Sequence, residues 1–296
     1  MKKNIVITGG KGFLAKHFCN ILQKNNSYNV ISTANDIRDL RWFETSFDRI
    51  DYFINCAGIS TSKERTEEEI LSSNSYAVSD LLSFLADYHP QSRFVNFGSA
   101  LELEEKLDIY GHSKALSRIS VNEFAQDGYF AIQPYLFNTV GKHQSNKFFF
   151  PKLLNCLLNS RFAEFGNLFQ IKSFQHIEDV VELTMQLLNL ENPVETHLGH
   201  PSTISLFELV EKLLKRTFTN DFHWSFNSHG DYKNCPLNCF QTSTGKILFV
   251  SNRDGKQVPD NFVLPDCKLL YSLIKGRHSY NIENILDDAL GIKPII

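Results

Sequence analysis

The chain has 296 residues, 42% of them hydrophobic, and a net charge of −3 with no long run of one sign. This length can bury a large core as one big domain or two unequal ones, and the mild, dispersed charge argues against nucleic acid or an anionic membrane surface as a partner. No apolar stretch approaches the length of a membrane span, and the start MKKNIVITGG runs directly into a strand pattern rather than a secretion signal. The six cysteines (19, 56, 156, 235, 239, 267) are scattered, mostly within apolar segments, as expected of reduced thiols in a cytoplasmic protein.

Asn4 to Thr8 is a short β-branched run ending at Gly9-Gly10-Lys11-Gly12, and apolar residues from Phe13 to Lys24 recur at helical spacing. The turn therefore has a Gly-x-x-Gly-x-x-Ala pattern between a strand and a helix. Small residues there permit a tight turn, a close approach of backbone to pyrophosphate and tight helix–strand packing, with the phosphate at the helix N-terminus. A glycine turn without a ligand is the alternative; the strand–turn–helix setting favours dinucleotide binding.

Further apolar runs at Tyr28–Thr33, Tyr52–Cys56, Arg93–Phe97 and Phe130–Leu136 read as strands, with helices at 66–88 and 110–126 between the later ones. Strands alternating with helices predict an α/β fold, a doubly wound parallel sheet with right-handed crossovers. After about residue 140 the rhythm loosens into helices at 148–160, 176–190 and 205–216, and then a polar, aromatic stretch at 217–264 that has no clear assignment. The expected division is a dinucleotide-binding domain at 1–140 with a returning segment near 168–192, and a smaller α/β C-terminal substrate lobe at about 141–167 and 193–296.

Ser99, in Phe-Gly-Ser-Ala, and Tyr110 and Lys114, in Tyr-Gly-His-Ser-Lys, form the constellation richest in chemistry. A tyrosine four residues before a lysine shares its helix face. A free phenol titrates near about 10, a nearby ammonium is expected to lower that value, and a serine hydroxyl can hold a substrate oxygen. Such a trio can move a proton at a carbinol or carbonyl centre. In a chain with ten tyrosines the spacing alone could be accidental, so its surroundings decide.

With these residues assembled, the chain resembles the extended short-chain dehydrogenase/reductases that act on nucleotide-activated sugars, over roughly residues 3–215 with a faint return at 264–290. Asn55-Cys56-Ala57-Gly58 closes the fourth strand, where the family sets a small-residue turn against the cofactor, and Asn74 stands at the family's usual helical asparagine. Ser99, Tyr110 and Lys114 match its catalytic trio. Leu136 to Gly141 is similar to its Phe-Asn-x-x-Gly segment, whose asparagine, here Asn138, contacts the substrate diphosphate; Phe174 to Val180 resembles its strand-to-helix segment near the sugar nucleotide. The resemblance implies a Rossmann sheet with cofactor contacts from Gly9, Lys11, Gly12, Phe13, Leu14, Thr33, Asp36, Ile37, Arg38, Cys56, Ala57, Gly58, Asn74, Tyr110, Lys114 and Leu136. It implies substrate contacts from Ser60, Ser99, Ala100, Asn138 and Lys172.

Departures from the family pattern narrow the chemistry. Members that dehydrate sugars at the 4,6 positions carry Thr-Asp-Glu where this chain has Ser99-Ala100-Leu101. Alanine and leucine supply neither acid nor base, which argues against a dehydratase; Glu102, one residue on, could be offered instead, but its side chain need not project the same way. The second strand ends Ser32-Thr33-Ala34-Asn35, without the acidic residue that holds a ribose 2′-hydroxyl, whereas Lys11 could meet a 2′-phosphate with help from Arg38 or Arg41. NADP is therefore favoured, with NAD as the alternative and a solvated loop lysine as the plain reading of Lys11. Only ten residues separate Ser99 from Tyr110, a short segment that by resemblance occurs in reductases of bacterial capsule and O-antigen sugar pathways.

The expected activity is NADPH-dependent reduction of a keto group, most plausibly at C4, on a nucleotide-diphosphate sugar for bacterial surface-polysaccharide synthesis. Tyr110 would be the proton donor, Ser99 a hydrogen-bonding partner, and Lys114 a ribose contact that depresses the tyrosine pKa. A 4-epimerase or 4-dehydrogenase with bound NAD is one alternative, and a non-catalytic NAD(P)-sensing protein another. The helices at 66–88 and 110–126 are expected to pair in a homodimer. His223, His229, Cys235 and Cys239 have an irregular spacing that argues against zinc, so no metal is expected. Phe148 to Leu158 reads as a core helix, His112 and Ser113 as exposed residues without catalytic duty, and His176 as either a substrate contact or a structural histidine.

Overall fold

The computed structural model describes residues 1–60, 65–159, 163–165, 168, 170–218, 222–226, 238–241, 247–251, 263–274 and 278–292. In chain order the first half runs β1 (Lys3–Ile7), α1 (Phe13–Leu22), β2 (Tyr28–Ser32), α2 (Arg41–Ser46), β3 (Tyr52–Asn55) and α3 (Glu67–Leu71). A π-helical turn (Ser72–Tyr76) joins α3 to α4 (Ala77–Tyr88), and β4 (Arg93–Asn96), a 3₁₀ turn (Ala100–Leu103), α5 (Ile109–Gln126) and β5 (Phe130–Ile132) complete it. Then come β6 (Tyr135–Leu136), β7 (Asn138–Val140), α6 (Phe149–Leu158), β8 (Ala163–Phe165), β9 (Ile171–His176), α7 (Ile177–Leu187), β10 (His197–Leu198), β11 (Thr203–Ser205) and α8 (Leu206–Phe218). The last elements are β12 (His223–Phe226), β13 (Asn238–Gln241), β14 (Ile247–Ser251), α9 (Lys268–Leu273) and α10 (Ile282–Leu290).

The central sheet has the order β2-β1-β3-β4-β5 with every neighbouring pair parallel. This is the doubly wound arrangement expected from the alternation. Strands β1, β3, β4 and β5 each serve two cores, because side chains alternate across the pleat. Ile5, Ile7, Tyr52, Ile54, Val95 and Ile132 pack with Phe18 and Leu22 of α1 and Val180 and Leu183 of α7. Val6, Phe53, Phe94 and Ala131 pack on the other face with Leu81 and Leu85 of α4 and Val121 and Phe124 of α5. The chain leaves β1 toward β2 on one side and returns to pair with β3 on the other, so the reversal of strand order falls at the C-terminal end of β1, where parallel sheets of this kind take their ligands.

Two details differ from the sequence expectation. The strand that ends at Asn55 is the third, because residues 33–51 form α2 and loop and add no strand to the sheet. The run Phe130–Leu136 breaks at Gln133-Pro134 into β5 and β6, since proline cannot donate to the ladder.

Contacts divide the chain into two compact units. The first comprises Met1–Thr139, Gln175–Pro201 and Pro265–Ser279; the second comprises Val140–Phe174, Ser202–Leu264 and Tyr280–Ile296. The segment Pro265–Ser279, placed by the sequence expectation in the C-terminal lobe, belongs with the first unit because Leu270 and Ile274 are buried in its core. Polar ties reinforce it. Cys267 Sγ donates to Gly199 O at 3.0 Å, the Asp266 amide donates to His197 Nδ1 at 2.9 Å, and the Ser279 amide to Asp179 Oδ1 at 2.8 Å. His278 accepts from the Tyr271 hydroxyl at Nδ1 and donates from Nε2 to Gln175 Oε1 at 3.4 Å.

In the second unit, Leu209, Val210, Leu213 and Leu214 of α8 meet Phe150, Leu153 and Leu157 of α6 and Ile285 and Leu286 of α10, so the 148–158 segment is a core helix as expected. Lys212 and Arg216 on α8 pair with Glu283 and Asp287 on α10. β12, β13, β14 and β8 form a four-stranded sheet, giving regular structure to part of the stretch that had no assignment from sequence. No helix among the described residues is long and apolar enough to cross a membrane.

Burial, with the neighbouring His200 ring adding to it, lowers the His278 pKa from 6.5 to about 4. The unfolded chain therefore binds a proton that the folded chain refuses between these values; the stability from a neutral His278 is complete above pH 6.5 and is lost as pH falls toward 4. Melting temperature should drop across this window, and less steeply in His278→Gln, which keeps a donor and an acceptor but does not titrate. Equal slopes for the two proteins would show that His278 is not the responsible group.

Candidate active site

The glycine turn sits on the C-terminal end of β1. Gly9 has φ +67°, and a Cβ there would lie 2.7 Å from Cys56 O, so only glycine fits both the backbone and the space. The Gly10 amide donates to Thr33 O at 2.8 Å and the Gly12 amide to Gly9 O at 2.7 Å, closing the turn against the end of β2. α1 then starts at Phe13 with no side chain capping it and no acidic residue in its first turn. Its first amides and its dipole are left to an anion.

A ladder of buried side chains runs beneath this end of the sheet. Thr8 Oγ1 donates to Asn55 Oδ1 at 2.5 Å, Asn55 Nδ2 to Asn96 Oδ1 at 2.9 Å, and Asn96 Nδ2 to Gln133 Oε1 at 2.8 Å. Gln133 Nε2 donates to the Lys114 carbonyl at 2.8 Å, and Ser117 Oγ to the same carbonyl at 2.9 Å. The ladder thus ties the strand ends to one turn of α5. Lys114 itself is buried, and its Nζ donates to Phe97 O at 2.9 Å. Nζ also lies 3.8 Å from where a Gly58 Cβ would be, which joins the lysine to the Cys56-Ala57-Gly58 turn.

Asn74 completes this junction from the π-helical turn, a local irregularity often found at functional sites. Its Oδ1 accepts from the Ile59 amide at 2.7 Å, and its Nδ2 donates to Ile59 O at 2.9 Å and Ser113 Oγ at 3.1 Å. Ser113 Oγ donates in turn to Tyr110 O at 2.7 Å. The expectation that Ser113 is exposed is therefore wrong: it is wholly buried on the inner side of α5, whereas His112 is exposed.

Tyr110 stands in the first turn of α5, whose N-terminus is capped by Asp108 Oδ1 accepting from the Gly111 amide at 2.7 Å. Ser99 follows β4, is buried, and hydrogen-bonds to the Tyr110 hydroxyl. The trio is thus assembled, but its electrostatics differ from expectation. Burial pushes the Tyr110 phenol up to about 12; Ser99 pulls against this, and the Glu102 and Asp108 carboxylates add to it. Lys114 is not among the groups that shift it; burial moves the lysine's own pKa down to about 8, and its ammonium is directed at Phe97 O.

A protein-family model described as "NAD dependent epimerase/dehydratase family" matches residues 5–198. The chain belongs to that family. It is thus an NAD(P)-dependent enzyme of the extended short-chain dehydrogenase/reductase type, as its motifs implied. No curated protein matches it. Among solved structures, an RMD from Pseudomonas aeruginosa complexed with NADPH is similar over 99% of this chain and 97% of that one, with 16% identity and a TM-score of 0.77. A dTDP-glucose 4,6-dehydratase from Bacillus anthracis in complex with NAD covers 98% and 96%, with 15% identity and a TM-score of 0.75. A UDP-N-acetylglucosamine 4-epimerase from Methanobrevibacter ruminantium in complex with UDP-N-acetylmuramic acid covers 98% and 98%, with 16% identity and a TM-score of 0.74. At these identities the likeness is one of fold.

In this epimerase/dehydratase-family chain the remaining expected site residues lie as follows. Lys11 is exposed in the glycine turn, and Phe13 and Leu14 are half-buried at the start of α1. Asp36 and Arg38 form an exposed two-pronged ion pair, and Arg41 pairs with Asp39 in the same way. The Ile37 side chain is spent on the core beside Phe43 and Phe53. Ser60 is exposed next to residues 61–64, which lie outside the described set. Leu136 is half-buried on β6, Asn138 is exposed at the start of β7, and Lys172 lies on β9 in the second unit opposite Ile204. His176 is buried as the cap of α7, its Nδ1 accepting from the Glu178 amide at 3.3 Å, which favours the structural reading. His229 and Cys235 lie outside the described residues, as do the side chains of His223 and Cys239.

Removing Asn96 would leave Asn55 Nδ2 without its acceptor in the core, at about 1–3 kcal/mol for an unsatisfied group, while Gln133 Oε1 keeps the Ser117 Oγ donor at 3.1 Å. Asn96→Ala should lose about 1–3 kcal/mol of unfolding free energy in urea. A loss below about 0.5 kcal/mol would mean that the ladder is not a structural tie.

Proposed function

We propose that this chain catalyses NADPH-dependent reduction of a keto group, at C4, on a nucleotide-diphosphate sugar. One observation carries the reading: Tyr110 of the assembled trio is held as a neutral phenol beside Ser99, the form needed to give a proton to a developing alkoxide. A sugar dehydratase needs a further free carboxylate. Ala100 and Leu101 have none, and both oxygens of Glu102 are engaged, by the Ser99 amide at 2.6 Å and by Arg118 Nε at 2.8 Å.

The residues present fit a dinucleotide. The Gly9–Gly12 turn has no room for side chains at its tightest point, and the uncapped start of α1 suits a pyrophosphate at the amides of Phe13 and Leu14. Thr33, the Asp36–Arg38 segment, Cys56, Ala57, Gly58, Asn74 and Leu136 would border the rest, with Lys114 at the nicotinamide ribose. Bound NADPH supplies the hydride. Asp36, already paired with Arg38, is a poor acceptor for a ribose hydroxyl, which together with the exposed Lys11 supports NADP over NAD; one of the fold neighbours is complexed with NADPH.

Ser99 would hydrogen-bond the substrate oxygen and Tyr110 would protonate it. Ser60, Ala100, Asn138 and Lys172 are assigned to the sugar nucleotide, Asn138 to its diphosphate, so that binding energy remote from the carbonyl positions the reacting carbon. Nucleotide sugars are bound by neighbours of the same fold. Cytoplasmic location, a role in surface-polysaccharide synthesis and a homodimer formed through α4 and α5 belong to the same proposal. Tyr88 on α4, Ile119 on α5 and Tyr76 just before α4 are 59%, 55% and 58% exposed.

The test is a panel of nucleotide-linked 4-keto sugars, followed by loss of NADPH absorbance and by NMR of the product. Tyr110→Phe should keep NADPH affinity within about twofold and lose at least about a hundredfold in kcat, the scale of a positioned proton donor. Undiminished turnover in Tyr110→Phe would overturn the mechanism. Tightly held NAD⁺ in the purified protein, with interconversion of 4-epimers and no net NADPH consumption, would establish the epimerase instead.

A further inference from the structure

The segment after Ser99 holds a buried ion pair that the hydride mechanism leaves without a task. Glu102 closes the 3₁₀ turn Ala100–Leu103: its Oε1 accepts from the Ser99 amide at 2.6 Å while Ser99 Oγ accepts from the Leu101 amide at 3.2 Å. Its Oε2 accepts from Arg118 Nε at 2.8 Å, and the two side chains are only 2% and 10% exposed. Arg118 is anchored in its turn. Its Nη1 donates to Gln133 O at 2.5 Å, its guanidinium stacks 3.5 Å above the Tyr135 ring, and Glu195, half-exposed, lies 3.4 Å from Nη1. A Cβ at Gly98 would lie 2.6 Å from both Glu102 Oε1 and Arg118 Nη2, so a larger residue before Ser99 would have to displace this same pair.

A buried ion pair is in general no better for stability than apolar residues of similar volume. Its retention here needs another reason, and the geometry offers one. Ser99 lies on a short connection with no strand or α-helix of its own, yet its hydroxyl must meet one point beside Tyr110.

We infer that Glu102 is a positioning residue for Ser99: clamped by Arg118 to the Gln133 carbonyl and the Tyr135 ring, it holds the Ser99 amide and so fixes where the serine hydroxyl meets Tyr110 and the substrate oxygen. This rests on the proposed role of Ser99 and Tyr110. It also assigns the Glu102 carboxylate to holding backbone, with both oxygens already engaged.

Two variants that strand no lone buried charge provide the test. Glu102→Leu with Arg118→Met removes the acceptor of the Ser99 amide; Glu102→Gln with Arg118→Met removes the same charges but keeps an acceptor oxygen. In the leucine pair, hydrogen exchange at the Ser99 amide should quicken at least about tenfold while exchange in the strands is unchanged. Keto-sugar reduction should lose about 10- to 100-fold in kcat, with the KM for NADPH unchanged within about twofold. The glutamine pair should return both readouts to within about threefold of wild type. Wild-type exchange in the leucine pair, or equal losses in the two pairs, would overturn the inference. The exchange measurement needs no substrate, so it stands even if no keto sugar is turned over. Retained turnover in Tyr110→Phe would instead bring down the underlying mechanism.

Discussion

Four consecutive strands of the central sheet lead into polar residues at their C-terminal ends, Thr8, Asn55, Asn96 and Gln133, and all four side chains are buried. Such groups are tolerated in a core only when they satisfy one another. Here they do so in a line that ends on the carbonyl of Lys114. This requirement determines the register between sheet and α5, and so the height at which Tyr110 and Lys114 stand above the strand ends. The glycine turn after β1 belongs to the same construction, because Thr8 both ends the strand and starts the ladder.

The burial that makes the ladder obligatory also sets the acid–base character of the site. A phenol and an ammonium close to the core are each pushed toward neutrality, the tyrosine upward and the lysine downward. The pair is thus better described as a protonated phenol and a weakly held lysine proton than as a phenolate stabilised by its neighbour. Charge is instead concentrated one layer away, in Glu102 and Arg118, where both oxygens of the carboxylate are already bound.

Much of the fold was legible from local pattern. The parallel sheet follows from strands alternating with helices, its apolar runs show no in–out alternation because the strands are covered on both faces, and the structure divides their apolar residues between two cores. Helix positions followed from spacing, with boundaries shifted by a few residues. What escaped was non-local. Ser113 reads as a surface residue from its neighbours, yet the π-helical turn brings Asn74 against it. The segment 265–279 has too few apolar residues to declare its partner, and it is drawn to the first unit by Leu270, Ile274 and Cys267.

The amino-acid sequence by itself determined the doubly wound sheet, the glycine turn after β1, the presence of Ser99, Tyr110 and Lys114 in their spacing, and the want of a carboxylate at Ala100 and Leu101. Each of these depends on residues close together in the chain or on the chemistry of a single side chain. Only the tertiary structure decided the ionisation of the trio, the employment of Glu102 by Arg118 from sixteen residues away, and the role of His176 as a helix cap. Burial and hydrogen-bond partners are properties of the packed chain, and a pKa or a positioning contact exists only once desolvation and partner are both in place.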